Sequence, residues 1–259
     1  MAAGYGTVAE PGAGIEPATV RRHRAFSCHP ADIRTMRTLR DLLDGATWLP
    51  SLTPELRARV ESETVARLCP SGSRVCRRGE RVDSWIGVVD GLVKMANVSA
   101  DGKPTSFTGI GTGGWFGEGS VLKDEPRRYD IVALRDSLIA HMPRATFMAL
   151  LDHSFAFNRY LITQLNERLG QFIGMVEHDR LLGPDARLAR SLAGLFNPVL
   201  YPHVGASLPV SQEELGQLVG LSRQRVNQAL KVLEQAGLLR IDYGGVTVLD
   251  LAGLRAFEG

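Results

Sequence analysis

The amino-acid pattern predicts an α+β chain: an antiparallel β-roll, then a long helix, then a C-terminal winged helix-turn-helix. Three observations carry this. Between Cys69 and about His141, short apolar runs alternate with turn signals at regular spacing, the texture of an antiparallel sandwich or roll. Between Phe155 and Val176, seam residues recur at alternating steps of three and four, which marks one long helix. The stretch "SQEELGQLVGLSRQRVNQALKVLEQAGLL" at 211–239 holds two short helices joined by a glycine-containing turn.

Residues 1–35 are rich in Gly, Ala and Pro and lack an apolar signal-peptide core, so they read as a flexible tail of a cytoplasmic protein. Residues 36–150 form the roll domain. Its leading part, 36–68, carries helical spacing ("LRDLL", "TPELRARVESETVARL"), with Thr53 as a cap and Pro54 in the first turn. The strand candidates are "WIGVVDGLVKMANV", "PTSFTGIG", "IVAL" and "SLIAHM", punctuated at Gly79-Glu80, Asp90-Gly91, Asp101-Gly102 and Gly113-Gly114. Asp101-Gly102 is the strongest hairpin signal among them. Pro143 opens the helical region, and 151–182 is the long helix. Gly183-Pro184 begins a last domain, 183–259, with helices expected at 185–196, 211–219 and 222–235 and a hairpin around Gly244-Gly245.

The 259 residues are enough for two modest cores. A net charge of +2 makes any nucleic-acid surface local rather than global. No run of 18 apolar residues exists, so no membrane partner is expected. Cys28, Cys69 and Cys76 supply neither a disulfide framework nor the ligand spacing of a zinc site or an iron–sulfur cluster. They read as ordinary thiols, with a redox-responsive Cys69/Cys76 pair as the alternative, and no metal site is expected.

The helical seam consists of Phe155, Asn158, Ile162, Leu165, Leu169, Phe172 and Val176. Asn158 is its polar member, of the kind that fixes register. Gly170 and Gly174 would let a partner backbone approach. Burying five large apolar side chains per helix, at roughly 1.5–3 kcal/mol each, is ample to drive association, which points to a parallel homodimer. The alternative is that the seam covers the neighbouring domain, although Leu161 and Met175 form a second apolar face for that purpose.

In the last domain Ser211 with Glu214 makes a capping box, Gly220 permits the turn, and Ser222 caps the second helix. Val226, Leu230 and Leu233 form its core side, leaving Arg223, Gln224, Arg225, Asn227 and Gln228 for solvent. These residue types suit the major groove of double-stranded DNA, where Arg pairs bidentately with guanine and Gln or Asn with adenine. Ser211, Gln212 and Lys231 are placed for phosphates.

The chain from 36 to 259 resembles the cyclic-AMP receptor/fumarate-nitrate regulator (CRP/FNR) family. The resemblance rests on Gly79-Glu80, "VVDGLVK" at 88–94, "FGE" at 116–118, an arginine ten residues after that glutamate, the long helix and the winged helix-turn-helix. It implies a bacterial transcription regulator with a cyclic-nucleotide-binding-like roll, a dimer on a pseudo-palindromic operator, and RNA polymerase as a partner. In nucleotide-binding members the glutamate takes the ribose hydroxyl, while amides and the arginine take the phosphate. Carried over, Glu118 would hold the ribose, and Arg128 with Gly117, Gly119 and Ser120 the phosphate, Glu118–Arg128 otherwise surviving as an ion pair. The lining departs from that pattern: Tyr129 and Asp130 replace small residues, and Phe172 with Ile173 stands where a polar pair meets the adenine. The pocket is therefore expected to take a small-molecule effector other than a cyclic nucleotide, and no cofactor is assigned. On the recognition helix, Arg223 matches the pattern for TGTGA half-sites, but Gln224 and Gln228 replace Glu and Arg, so neighbouring base contacts should change.

Alternatives of the same fold are a cyclic-nucleotide-dependent regulator and a haem sensor ligated by His141, His153 or His178. A metal-dependent jelly-roll enzyme would need histidines on inner strands, and all six histidines (23, 29, 141, 153, 178, 203) lie outside 30–140. The chain is read as a non-enzyme.

Overall fold

The computed structural model describes residues 36–98 and 104–259. The tail, Cys28 and the Asp101-Gly102 hairpin signal lie outside the described residues. The chain begins with α1 (Leu39–Asp44) and α2 (Pro54–Glu63), the latter capped by Thr53 with Pro54 at its start. Residues 65–68, expected to continue the helix, belong instead to strand β1 (Val65–Cys69).

Two four-stranded antiparallel sheets follow. One has the order β1-β8-β3-β6, with β3 (Ser84–Asp90), β6 (Trp115–Phe116) and β8 (Ser137–Pro143). The other runs β2-β7-β4-β5, with β2 (Arg74–Cys76), β4 (Leu92–Val98), β5 (Pro104–Gly111) and β7 (Asp130–Ala133). Ile86, Val88, Val93, Ile110, Ile131 and Ile139 fill the space between the sheets. β3 is buried from Ser84 to Val89, as a strand covered on both faces must be. Its second cover is an aromatic cluster in which Trp85 stacks on Trp115 at 4.2 Å and Trp48, Phe147 and Phe157 pack edge-on or tilted around them.

A short helix, α3 (Glu118–Lys123), follows β6. After Pro143 come α4 (Arg144–His153) and the long α5 (Phe155–Leu181). The last domain has its own core, built on Leu188, Leu192, Leu215, Val226, Leu230 and Leu233. It consists of α6 (Pro184–Gly194), β9 (Ser207–Leu208), α7 (Gln212–Val219), α8 (Arg223–Gln235), the hairpin β10 (Leu239–Asp242) and β11 (Gly245–Val248), and α9 (Leu251–Ala256). β9 adds to the hairpin to make a three-stranded wing.

Candidate functional site

The exposed face of the helix-turn-helix is set by its caps. The Ser211 hydroxyl accepts from the Glu214 amide at 3.2 Å while the Glu214 carboxylate takes the Ser211 N–H, completing the capping box. Gly220, at φ +67°, turns the chain into α8, where Ser222 accepts from the Arg225 amide at 3.2 Å. Arg223, Gln224 and Gln228 are exposed on the first turns of α8, and Lys231 is exposed further along. Arg225 is not free for bases. Two residues advance a helix by about 200°, so Arg225 points away from Arg223, and its Nη2 lies 2.7 Å from Asp185 Oδ1 at the start of α6. Asn227 Oδ1 accepts from Gln212 Nε2 at 3.3 Å, so this pair braces α7 against α8. Of the residues expected to read bases, Arg223, Gln224 and Gln228 are the ones left exposed.

The second site lies in the roll. Gly117, at φ +86°, directs the chain into α3 and leaves Glu118 buried, at 5% exposure. The expected Glu118–Arg128 pair is not formed. Arg128 lies on the surface, giving Nε and Nη2 to Glu125 at 2.8 and 2.9 Å. Neighbouring residues of an extended segment point to opposite sides, so only one of the two adjacent arginines turns inward, and it is Arg127. Its Nη2 donates to the Ser84 carbonyl at 2.6 Å, and its Nη1 occupies the room a side chain on Gly117 would fill, 2.3 Å from such a Cβ.

Glu118 faces Arg168 of α5, with Oε1 3.5 Å from Nε, and Arg168 Nη2 donates to the Trp115 carbonyl at 2.8 Å. Burial by itself lowers the Arg168 pKa. The Glu118 carboxylate, then Tyr201 and Tyr129, outweigh it and hold the guanidinium above its usual value. Burial, then the Glu118 charge, pushes the Tyr129 hydroxyl up to about 12. Glu118 Oε2, Arg127 Nη1 and Arg168 Nη1 are buried without a hydrogen-bond partner among the described residues. Two buried cations against one buried anion leave an excess positive charge, the electrostatics of an anion site. Asp130 does not oppose it. Its carboxylate is 3.4 Å from Arg74 Nε and accepts the Arg78 N–H at 2.7 Å. Ser120 is buried and Gly119 is half-buried. Arg168 was missed in the sequence, although a signal existed. Gln164 and Arg168 continue the Phe157–Leu161 face of α5, and polar residues on a buried stripe need partners.

On the opposite face of α5, Phe155, Ile162, Leu165, Leu169 and Val176 are exposed, Ile162 at 67% and Leu169 at 59%. Ile173, 61% exposed, takes the place expected for Phe172, which turns to the roll core. Asn158 is engaged within the protomer. Its amide donates to the Leu151 and Ser154 carbonyls at 2.7 and 3.2 Å and closes the α4–α5 junction. Gly170 and Gly174 border a cleft of about 1590 Å³ shared with His178, Arg187 and Arg223, rather than the seam.

Among the described residues the histidines do not converge. His141 falls on β8, inside the strand region expected to lack one, with Nδ1 3.4 Å from Ser84 Oγ. His153 Nδ1 is 3.0 Å from the Ala149 carbonyl, and His178 borders the cleft. Cys69 Sγ lies 3.1 Å from Ser73 Oγ; Cys76 is buried, which drives its thiol up to about 11. Among the described residues no helix is long and apolar enough to cross a membrane.

Residues 66–154 match the family model of the cyclic nucleotide-binding domain, and residues 186–257 match that of the Crp-like helix-turn-helix domain. The cyclic AMP receptor protein of Thermus thermophilus is 27% identical over 210 residues, covering 81% of this chain and 95% of that one. The cAMP-activated global transcriptional regulator CRP of Haemophilus influenzae is 27% identical over 173 residues, 66% of this chain and 77% of that one. The structure of FixK2 from Bradyrhizobium japonicum superposes with a TM-score of 0.59 at 18% identity, over 76% of this chain and 98% of that one. A nucleotide-binding-type roll and a Crp-like helix-turn-helix, in this order on one chain, place it in the CRP/FNR family of DNA-binding transcription regulators.

Proposed function

We propose that the protein is a homodimeric regulator that binds pseudo-palindromic operators in the cytoplasm, engages RNA polymerase there, and answers to a small anionic effector other than cyclic AMP. The Glu118–Arg168 contact carries the effector reading. The carboxylate that would have to meet a ribose hydroxyl already faces a guanidinium from α5. That guanidinium and Arg127 are both buried beside it, and together they would give an effector site here a cationic wall. The apolar strip along α5, with Leu169 and Ile173 exposed, supports the dimer. A cyclic-nucleotide response is the second reading, favoured by the names of the two relatives above and by the inward-facing Arg127.

Operator selection from random duplexes, run with and without cyclic AMP, decides between them. The selected half-site is expected to keep one guanine under Arg223 and to change the neighbouring positions, read by Gln224 and Gln228. It is expected to be the same in both runs, with affinity unchanged within about twofold, less than 0.5 kcal/mol. Recovery of an unmodified TGTGA–TCACA palindrome, or tenfold tighter binding at micromolar cyclic AMP, would overturn the proposal.

A further inference from the structure

The segment joining α6 to β9 is shared between the two domains, with Leu195 and Phe196 in the C-terminal core and its middle in the roll. Leu200 and Tyr201, each 1% exposed, are buried in the core between the two sheets of the roll. The Tyr201 hydroxyl donates to the Gly109 carbonyl on β5 at 3.0 Å. After Glu118, the Tyr201 hydroxyl is among the groups that raise the Arg168 pKa against the effect of burial. Gln164 Nε2 donates to the Val199 carbonyl at 2.6 Å, and Asn197 Nδ2 to Glu167 Oε2 at 3.1 Å, so α5 grips the same segment.

The roll carries a seat for it. In "GIGTGG" (109–114), a Cβ on Gly114 would lie 2.9 Å from Tyr201 Cδ1, and one on Gly113 2.8 Å from His203 Cδ2. One on Gly109 would lie 2.9 Å from Leu195 Cδ2 and 3.4 Å from Leu218. Real Cβ contacts are rarely this close, so the bare backbone is what admits the segment.

Docking of the segment brings α7 onto the roll. Lys94 Nζ donates to Gln217 Oε1 at 2.9 Å, and Arg135 Nη2 lies 3.1 Å from Glu214 Oε1. Between Ser211, Glu213 and Gln217 on one side and Ser71, Gly72 and Val132 on the other, only about 460 Å³ remains. The first helix of a helix-turn-helix must cross the DNA backbone. A duplex, whose major groove alone is about 12 Å wide, does not enter such a crevice.

We propose that Leu200 and Tyr201 form an internal plug, seated beside the Glu118–Arg127–Arg168 pocket, that holds the DNA-binding domain on the roll in a state closed to DNA, and that the effector opens the protein by displacing Tyr201. The proposal rests on the effector-pocket reading above, yet its test needs no ligand, so the two fail separately. An effector that binds only the open state shifts the population by its differential affinity, as for any two-state element.

The test compares full-length wild type with Tyr201→Ala, Gly109→Val and Arg135→Ala. Gly109→Val removes the seat from the roll side with a strand-forming residue, and Arg135→Ala loosens the docking at a half-exposed position. Each variant is expected to bind the selected operator at least tenfold more tightly than wild type without added effector. Amide exchange is expected to rise at 104–111 and 212–219 together, with 155–165 unchanged. If Tyr201→Ala does not fold, the other two decide. Folded variants with wild-type affinity and wild-type exchange at 212–219 would overturn the plug. Raised exchange with no duplex bound by any variant would uphold the plug and sink the operator reading.

Discussion

Arg168 and Glu118 stand in a site closed to water, with side chains 9% and 7% exposed, and neither can lose its partner cheaply. Removing one member of a buried pair leaves the other uncompensated and costs about 3–5 kcal/mol, whereas replacing both is far less damaging. Arg168→Met is therefore expected to lower the denaturant midpoint sharply, and Glu118→Gln with Arg168→Met to recover a large part of the loss. Chemical denaturation followed by tryptophan emission reads this directly, since Trp48, Trp85 and Trp115 all lie in the adjoining cluster. Strictly additive losses would show that the two charges do not depend on each other. At this scale the sequence told half the story. Glu118 was legible from "FGE", and an inward arginine from "RR", but spacing alone cannot say which of two adjacent arginines faces in. The partner fifty residues away on α5 shows locally only as a charge on a buried stripe, and only the folded roll decides which group it meets.

Elements with a strong period were legible, and those without one were not. The capping box at Ser211 and Glu214, the turn at Gly220 and the long α5 all formed where their chemistry required. β1 was misread because Leu68 stands three residues after Val65 and eight after Val60, both helical steps, while as an edge strand β1 leaves Leu68 71% exposed and shows no clean alternation. The exposed strip differs from the expected seam at two places: Phe172 and Asn158 serve contacts within the protomer, and Ile173 is exposed instead. On this reading, a charge in the middle of the strip is fatal to association. Ile162→Glu with Leu169→Glu is expected to convert a sedimenting dimer to monomers at micromolar concentration. Both positions are exposed in the single chain, so helicity and the thermal midpoint of the roll should stay close to wild type. A double variant that still sediments as the wild-type dimer would exclude this face as the interface.

The whole molecule couples these parts through one chain path: α5 carries Arg168 to the pocket on one face and the apolar strip on another, and the 195–206 segment returns from α6 to the roll before the helix-turn-helix begins. The return of that segment to the roll was not legible, since the glycines of "GIGTGG" look like turn residues until something lies on them. Charge at this scale was legible. From 181 to 259 the sequence holds seven Lys/Arg and seven Asp/Glu, so the DNA-binding domain brings no excess of positive charge to the phosphates. Arg225 is further committed to Asp185 and Arg240 to Asp242, each within 2.8 Å. Affinity must then rest on base contacts and on the avidity of two linked heads rather than on counterion release. With about two charged phosphate contacts per half-site, each worth a slope of about −0.9, the logarithm of operator affinity should fall against that of salt concentration with a slope of about −4. Titrations of the selected operator from low to physiological salt measure it. A slope steeper than about −7 would mean that more cations reach the backbone than this neutral domain supplies, and would require a basic surface from elsewhere in the chain.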